Sequence, residues 1–136
     1  MNRIESLKAA TPLEAMLPYR KMLQESLSYS GNSHTFQDVV DLVEKNVMQF
    51  WPMERSCLVT ELVNYPKFKN LHIFLAGGDL EEIKSIDSTL ELLCRELGAK
   101  YISLSGRRGW IKALADLDYK LSHVTLAKEV KEKENG

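Results

Sequence analysis

The stretch "LSGRRGWIKAL", residues 104–114, holds the residue types best suited to binding an anion. Arg107 and Arg108 lie between Gly106 and Gly109, directly after an apolar run and before a tryptophan. Glycines at such positions end a strand and let the backbone turn or approach a neighbour closely. The two arginines either contact a phosphate or an acidic partner, or lie exposed in a turn that joins a strand to a helix. The residue types alone leave both interpretations open.

A second glycine turn precedes a helix earlier in the chain. Gly77 and Gly78 follow an apolar strand pattern, and Asp79 is a suitable N-cap, with further acids in the first helical turn. If the strands before the two turns are parallel, both turns lie at the carboxyl edge of the sheet, where ligands gather in open α/β folds. We therefore predict that the turns face each other, and that Asp79 and Glu82 pair with the two arginines.

The elements that position these turns follow from the hydrophobic periodicity. Apolar spacing of three and four predicts helices, and short β-branched or aromatic runs predict strands. The three closely spaced strands are typical of an antiparallel meander, and the helix after them is long enough for a parallel crossover. The predicted order is helices over 18–28 and 36–47, strands over 48–51, 57–64 and 71–76, a helix over 80–97, a strand over 99–106, a helix over 107–117 and a strand over 119–130.

Composition excludes several classes of partner. The 136 residues carry a net charge of -1, so no basic excess favours nucleic acid or an anionic membrane. No apolar run is long enough to span a bilayer, and no apolar segment follows the N-terminal charge, so we expect a cytoplasmic protein. Cys57 and Cys94 lie in apolar surroundings and are expected to be small core residues. The three histidines lack a metal-ligand spacing, so no metal is expected.

Five segments resemble the small GNAT-like proteins (N-acetyltransferase superfamily fold) of tailed bacteriophages and prophages. These are "QFW" (49–51), "VTELVNYP" (59–66), "LAGGDLEE" (75–82), "LGAKYISLSGRRGW" (97–110) and "LAKEV" (126–130). The resemblance covers residues 35–130. It implies an α+β fold, a GNAT-like α/β/α sandwich whose mixed sheet has an antiparallel meander, a parallel β-α-β step and two N-terminal helices. A single domain would occupy residues 1–130, and residues 131–136 would form a frayed charged tail.

The resemblance also places a cofactor site, which this sequence matches poorly. Active members resemble one another in an Arg/Gln-x-x-Gly-x-Gly/Ala loop whose backbone amides cradle the pyrophosphate of an acyl-CoA. The segment "LAGGDLEEI" is shorter and places acids there. We therefore expect no cofactor. Were acetyl-CoA to bind, the resemblance would assign it to Ala76, Gly77, Gly78, Arg107 and Arg108.

The catalytic groups implied by the resemblance are also incomplete. Superfamily members carry a tyrosine that protonates the departing thiolate. In this sequence Leu114 stands at the position of that tyrosine, and Tyr119 stands at the position of an aromatic residue that normally packs in the core. Tyr101 or Ser105 would therefore have to act as the general acid. Glu61, on a meander strand, is the candidate general base, and His72 on the next strand is the other. Both residues are also compatible with ordinary surface or core positions.

Two main functions remain open from the sequence, beside a third in which the chain is a small binder of host proteins in anti-defence or host takeover. The first is a phage-encoded structural or accessory protein, or an internal virion protein, that acts by contact with a phage or host protein. The second is an acetyl-CoA-dependent N-acetyltransferase that modifies a host or phage protein. The resemblance implies a location in the host cytoplasm or in the virion. The degenerate loop favours the first function, and the fold resemblance favours the second.

Overall fold

The computed structural model describes residues 10–132, which form a mixed α+β fold. Within residues 10–132 three helices precede the sheet, where two were predicted, with a 3₁₀ turn over Leu17–Tyr19 between the first two: α1 Pro12–Met16, α2 Arg20–Tyr29 and α3 Phe36–Glu44. The remaining elements are β1 Met48–Pro52, β2 Ser56–Asn64, β3 Lys69–Gly78, α4 Leu80–Ser85, α5 Asp87–Leu97, β4 Ala99–Leu104 and α6 Gly109–Ala113, followed by a 3₁₀ turn over Ala115–Leu117.

The four strands form one mixed sheet in the order β1-β2-β3-β4. β1 pairs with β2 and β2 pairs with β3 in antiparallel fashion, so the predicted meander is confirmed. β4 pairs with β3 in parallel, after the crossover through α4 and α5. The predicted parallel step is therefore also confirmed, and it brings the carboxyl ends of β3 and β4 to the same edge.

Local sequence signals explain where the helices begin and end. Thr35 caps α3 through a capping box: its side chain accepts from the Asp38 amide, and Asp38 accepts from the Thr35 amide. These hydrogen bonds from Thr35 hold the pKa of Asp38 below its ordinary value. Asp79 caps α4 by accepting from the Glu82 amide. Gly98 ends α5 in the left-handed conformation, as a C-terminal glycine commonly does.

Hydrophobic clusters lie on both faces of the sheet. One face packs against α1, α2 and α3, and we call it the N-helix face; its fully buried members include Leu23, Leu27, Val39, Val59 and Leu75. The other packs against α4 and α5, and we call it the α5 face; its buried members include Leu58, Leu71, Ile73, Ile83 and Leu90. Both clusters draw on β2 and β3, so the two central strands hold the layers together.

A β-bulge at Phe74 changes which side chains of β3 face which layer. Val59 pairs with Leu75 and Thr60 pairs with Ile73, which leaves Phe74 as the extra residue on β3. Before the bulge, Leu71 and Ile73 pack on the α5 face; after it, Leu75 packs on the N-helix face. One inserted residue therefore allows a single strand to serve both cores.

The structure corrects several predicted elements. The predicted strand over 119–130 is wrong, because this segment pairs with no strand in residues 10–132 and its residues from 120 onward are exposed. The predicted helix over 80–97 is two helices, α4 and α5, which meet at Ile86. The predicted helix over 107–117 is shorter, because α6 covers only Gly109–Ala113, and its Ile111 is 48% exposed.

No helix in residues 10–132 is long and apolar enough to cross a membrane. The predicted tail over 131–136 lies largely outside the described residues, since only residues 131 and 132 are described. Both are exposed and irregular.

Candidate functional site

The candidate site begins where β3 and β4 separate. The ladder between them ends at the pair Ile73–Leu104, while β3 continues to Gly78 with only β2 beside it. A cavity of about 530 Å³ opens at this point and is bounded on its other side by α2. The sheet edge contributes Ala76, Gly77 and Gly78 to its lining, and the segment after β4 contributes Ser105, Gly106 and Arg107. The two glycine turns therefore border one cavity, as their parallel placement predicts.

Two of these glycines are required by close approach. A Cβ on Gly77 would collide with the Met22 side chain of α2. Gly78 has a φ of +111°, a conformation that L side chains rarely adopt, and a Cβ there would collide with the Arg55 carbonyl oxygen. In addition, the Ala76 amide donates to the Ser26 hydroxyl at 3.2 Å, so α2 supplies a partner that β4 does not. The end of β3 is thus packed tightly under α2.

The charged groups of the cavity are mainly cationic. Lys21 and Arg107 line it, and Glu25 is the acid among the lining residues. The Arg107 guanidinium carbon lies 4.8 Å from the ring centroid of Tyr29, which also lines the cavity, and 5.8 Å from that of Trp110. Such contacts fix a guanidinium while leaving its N–H donors available. The cavity therefore has the charge and the flat apolar faces that suit an anionic ligand with a ring.

Arg108 does not line the cavity, whereas Arg107, the residue before it, does. The predicted pairing of the two arginines with Asp79 and Glu82 is also wrong. Arg55, in the turn between β1 and β2, takes both carboxylates: its Nη2 lies 3.6 Å from Asp79 Oδ2, and its Nε lies 3.5 Å from Glu82 Oε2. The Arg55 amide also donates to Glu82 Oε1 at 2.7 Å.

The reason for this difference lies in the antiparallel ladder. Ser56 at the start of β2 pairs with Gly78 at the end of β3, which brings the β1–β2 turn beside the start of α4. The Asp79 amide donates to the Ser56 hydroxyl at 2.9 Å and so fixes this contact. None of Asp79, Glu81 and Glu82 lines the cavity. The expectation that acids would repel an anionic ligand there is therefore not supported by their positions.

A half-buried polar cluster lies across β2, β3 and β4, and it contains both predicted base candidates, although none of its residues lines the cavity. Glu61 and His72 are direct cross-strand partners on β2 and β3. His72 Nδ1 lies 2.7 Å from the Ser103 hydroxyl, and Asn70 Nδ2 donates to that hydroxyl at 2.8 Å. Ser103 directly precedes Leu104, which lines the cavity. Strand alternation from Val59 places this cluster on the N-helix face.

Burial determines the charge state of the imidazole. Desolvation lowers the pKa of His72, and the nearby Glu61 carboxylate opposes that effect without cancelling it. His72 is therefore neutral at pH 7. The Ser103 oxygen can accept from both Asn70 Nδ2 and His72 Nδ1, so we assign the ring proton to Nδ1, which leaves the Nε2 lone pair free to accept a proton. A neutral, half-buried imidazole held in one orientation is suited to proton transfer.

Sequence reasoning missed four residues of the site, because only the strand register and the position of α2 reveal them. They are Lys21, Tyr29, Asn70 and Ser103. Of the suggested substitutes for a general acid, Ser105 lines the cavity, and Tyr101 is half exposed on β4. Tyr119 does not take part, because its hydroxyl donates to Asp87 at 2.8 Å and burial raises its pKa.

No group of three or more potential metal ligands occurs within the part of the chain that the structure describes. The Asn70 side-chain oxygen is buried without a hydrogen-bond partner, and it is a member of the polar cluster.

No family model and no curated protein matches this sequence. The fold is similar to that of two bacterial proteins of known structure. TTHA1254 from Thermus thermophilus is 12% identical, with a TM-score of 0.54 over 82% of this chain and 92% of that chain. A tetramutant of BH1408 from Bacillus halodurans is 11% identical, with a TM-score of 0.51 over 95% of this chain and 97% of that chain. At these identities the similarity shows the fold alone.

Proposed function

We propose that the cavity between the separated ends of β3 and β4 binds an acyl-CoA, and that the chain is a GNAT-like N-acyltransferase acting on a phage or host protein. The observation that carries this proposal is the cationic cavity at the carboxyl edge of the parallel strands, with Ser103 of the His72 cluster one residue before Leu104 of the cavity lining. Neither feature alone would suggest a transferase. Together they supply a place for an anionic donor and a base for an amine acceptor.

The cavity fits an acyl-CoA in some respects and departs from the superfamily pattern in others. Lys21 and Arg107 would neutralise phosphate charge, and the Tyr29 and Trp110 rings offer flat apolar faces. The longer glycine loop of the superfamily is absent, and α4 begins at once after Gly78. We therefore assign phosphate binding to the two cations and not to the start of α4.

In this proposal the chain supplies proton transfer and orientation, while the bound donor supplies the activated acyl group. His72 would accept the proton that the acceptor amine loses as its nitrogen bonds to the acyl carbon and the carbon–sulfur bond breaks. Asn70 and Ser103 hold the imidazole, and Glu61 stabilises its protonated form. Tyr29 lines the cavity and would protonate the departing thiolate in place of the missing tyrosine of the resemblance.

Calorimetry with acetyl-CoA, combined with an acetylation assay on lysine-containing peptides, tests the proposal. We expect binding that Arg107→Ala weakens at least about tenfold, since charged hydrogen bonds contribute about 1.5–3 kcal/mol. Arg108→Ala removes the same charge outside the cavity and should leave the affinity unchanged. At a hundred times Kd, acetyl-CoA should add about 2.7 kcal/mol to the free energy of unfolding. Absence of binding by the wild type would refute the proposal.

The catalytic assignment is tested separately. His72→Ala should lower kcat by about 10²–10⁴ while leaving the Kd for acetyl-CoA unchanged, because His72 acts on the acceptor. Tyr29→Phe should lower kcat and retain the ring that contacts Arg107. If the wild type binds acetyl-CoA but both variants keep its turnover, the site is correct and the residue roles are wrong.

A second candidate function is a structural or accessory role, or an internal virion role, exercised through contact with another protein. The exposed apolar side chains of residues 120–130 favour it, because large apolar groups in that number are commonly covered by a partner. A purified virion containing this chain, together with no response to acetyl-CoA, would support this function over acyl transfer.

A further inference from the structure

The segment over residues 120–130, here called the C-terminal arm, leaves the body of the molecule without packing on it. Its four large apolar side chains are exposed: Leu121 by 63%, Val124 by 71%, Leu126 by 91% and Val130 by 88%. The arm starts from a fixed point, since the Tyr119 hydroxyl bonds to Asp87 and the Tyr119 amide donates to the Leu114 carbonyl. Val124, Thr125 and Val130 are strand-forming types, but the arm has no strand partner within residues 10–132.

The sheet has a complementary open position. β4 pairs with β3 on one side, and within residues 10–132 no strand pairs with its other side. A six-residue edge strand of this kind presents unpaired backbone groups and is normally covered or paired. Ile102 and Leu104 of β4 are half-buried on the α5 face, and Leu97, the last residue of α5, is 38% exposed.

We propose that the C-terminal arm of one copy adds to the open edge of β4 in a second copy, and that the exchange is reciprocal. Each chain then contributes one arm and receives one. A two-fold arrangement of this type uses the same surfaces on both copies and closes on itself. It does not depend on acyl-CoA binding and would hold whatever the cavity binds.

The middle of the arm has the side-chain pattern of a strand with one apolar side. Val124 and Leu126 lie on one side of an extended strand, and His123, Thr125 and Ala127 lie on the other. Towards the ends the pattern is mixed, since Leu121 shares the side of Thr125 and Lys128 lies between Leu126 and Val130 on the other. The side of Val124 and Leu126 would cover Ile102 and the exposed border of α5.

A second copy is a better occupant of this edge than the arm of the same chain. In the single chain the arm is exposed along its whole length, so it has not packed on its own sheet. The exchange would engage seventeen residues of each chain, eleven from the arm and six from β4. With the side chains around them, this approaches the roughly 20–30 residues per side of a stable interface.

Light scattering on the full chain across a range of concentrations tests the exchange. We expect a mass of twice the 15.5 kDa chain. The double variant Val124→Asp, Leu126→Asp should reduce the mass to that of one chain. Its matched control is Thr125→Asp, Ala127→Asp, which adds the same charge on the other side of the arm and should remain a dimer. Circular dichroism of each variant establishes that the body remains folded.

Hydrogen exchange of the β4 amides completes the test. In the dimer they should be protected, and in the arm variant that protection should be lost. A wild type that is monomeric at all concentrations overturns the proposal, whether its β4 amides are open or are covered by its own arm. A dimer that survives the Val124→Asp, Leu126→Asp variant overturns it as well, because another surface would then hold the copies together.

Discussion

At the scale of single residues, His72 links the stability of the protein to its proposed chemistry. Its imidazole is half-buried between Glu61 and Ser103, and burial lowers its pKa more than Glu61 raises it. The same desolvation that keeps the ring neutral and able to accept a proton also penalises the protonated ring. Acid conditions should therefore destabilise the fold at this residue.

The expected pH dependence follows from the two states. The unfolded chain binds a proton at His72 near the ordinary pKa of about 6.5, whereas the folded chain binds it only at lower pH. Above pH 7 both states are neutral at this residue. As the pH falls through about 6.5, the unfolded state gains the proton first, so the free energy of unfolding decreases until the pH passes below the folded pKa.

Denaturant unfolding of the wild type and His72→Gln between about pH 5 and about pH 8, a range that brackets the ordinary histidine pKa, measures this effect. The wild type should lose stability relative to the variant only at the acid end. His123→Gln, at an exposed position of the arm, controls for the substitution itself. Parallel pH profiles for the wild type and His72→Gln would contradict the assigned burial effect.

Gly78 is the residue at which backbone conformation constrains the cavity most. Gly78→Ala combines an unfavourable positive φ with a collision against backbone atoms of Arg55 and Ser56. We expect it to lower the free energy of unfolding by about 3 kcal/mol. Gly31→Ala is the control, because Gly31 also has a positive φ but nothing within 4 Å of its added Cβ. That variant should cost about 1–2 kcal/mol, and equal costs would contradict the collision.

At the scale of elements, the contact between the β1–β2 turn and α4 rests on Glu82. Its carboxylate pairs with the Arg55 guanidinium and accepts from the Arg55 amide, and its side chain is only 13% exposed. Glu82→Ala should lower the free energy of unfolding by about 1–2 kcal/mol in chemical denaturation. Glu81→Ala removes the same charge from an exposed position of the same helix and should change stability by less than about 0.5 kcal/mol.

The helices and the meander were accessible to sequence reasoning because their signals are local. The Thr35 capping box, the Asp79 cap and the stop at Gly98 each require only a few neighbouring residues. The conformation of the arm could not be predicted from the sequence, because a strand pattern does not show whether a free sheet edge lies close enough to pair with it. The sequence predicts a strand over 119–130, but the structure gives this segment no partner within the described part of the chain.

The candidate site was accessible only in part, for a related reason. The turns around Gly77 and Arg107 come together because parallel strands share an edge, which sequence order can predict. The contact of His72 with Ser103 depends on the register of β3 against β4, and the bulge at Phe74 shifts the neighbouring register by one residue. The ion pairs of Arg55 depend on how a turn packs on a helix, which no local pattern encodes.

At the scale of the whole molecule, one sheet joins two hydrophobic clusters, so both should unfold together. Leu27 lies in the cluster on the N-helix face and Leu90 in the one on the α5 face, and each is nearly fully buried. Leu27→Ala and Leu90→Ala should each lower the free energy of unfolding by about 2–5 kcal/mol. In both variants, tryptophan fluorescence and far-ultraviolet circular dichroism should report one coincident transition. Separate transitions would show that the faces are independent.

The reactivity of the Cys57 thiol depends on whether the N-terminal helices cover the sheet. Cys57 is fully buried against Met22, and desolvation raises the pKa of its thiol to about 12. The thiolate, which is the form that reacts, is therefore nearly absent while the fold is closed. Alkylation at this sulfur would proceed only in molecules whose N-terminal helices have lifted from the sheet. The rate of this alkylation in native buffer would therefore report how often that layer detaches from the sheet.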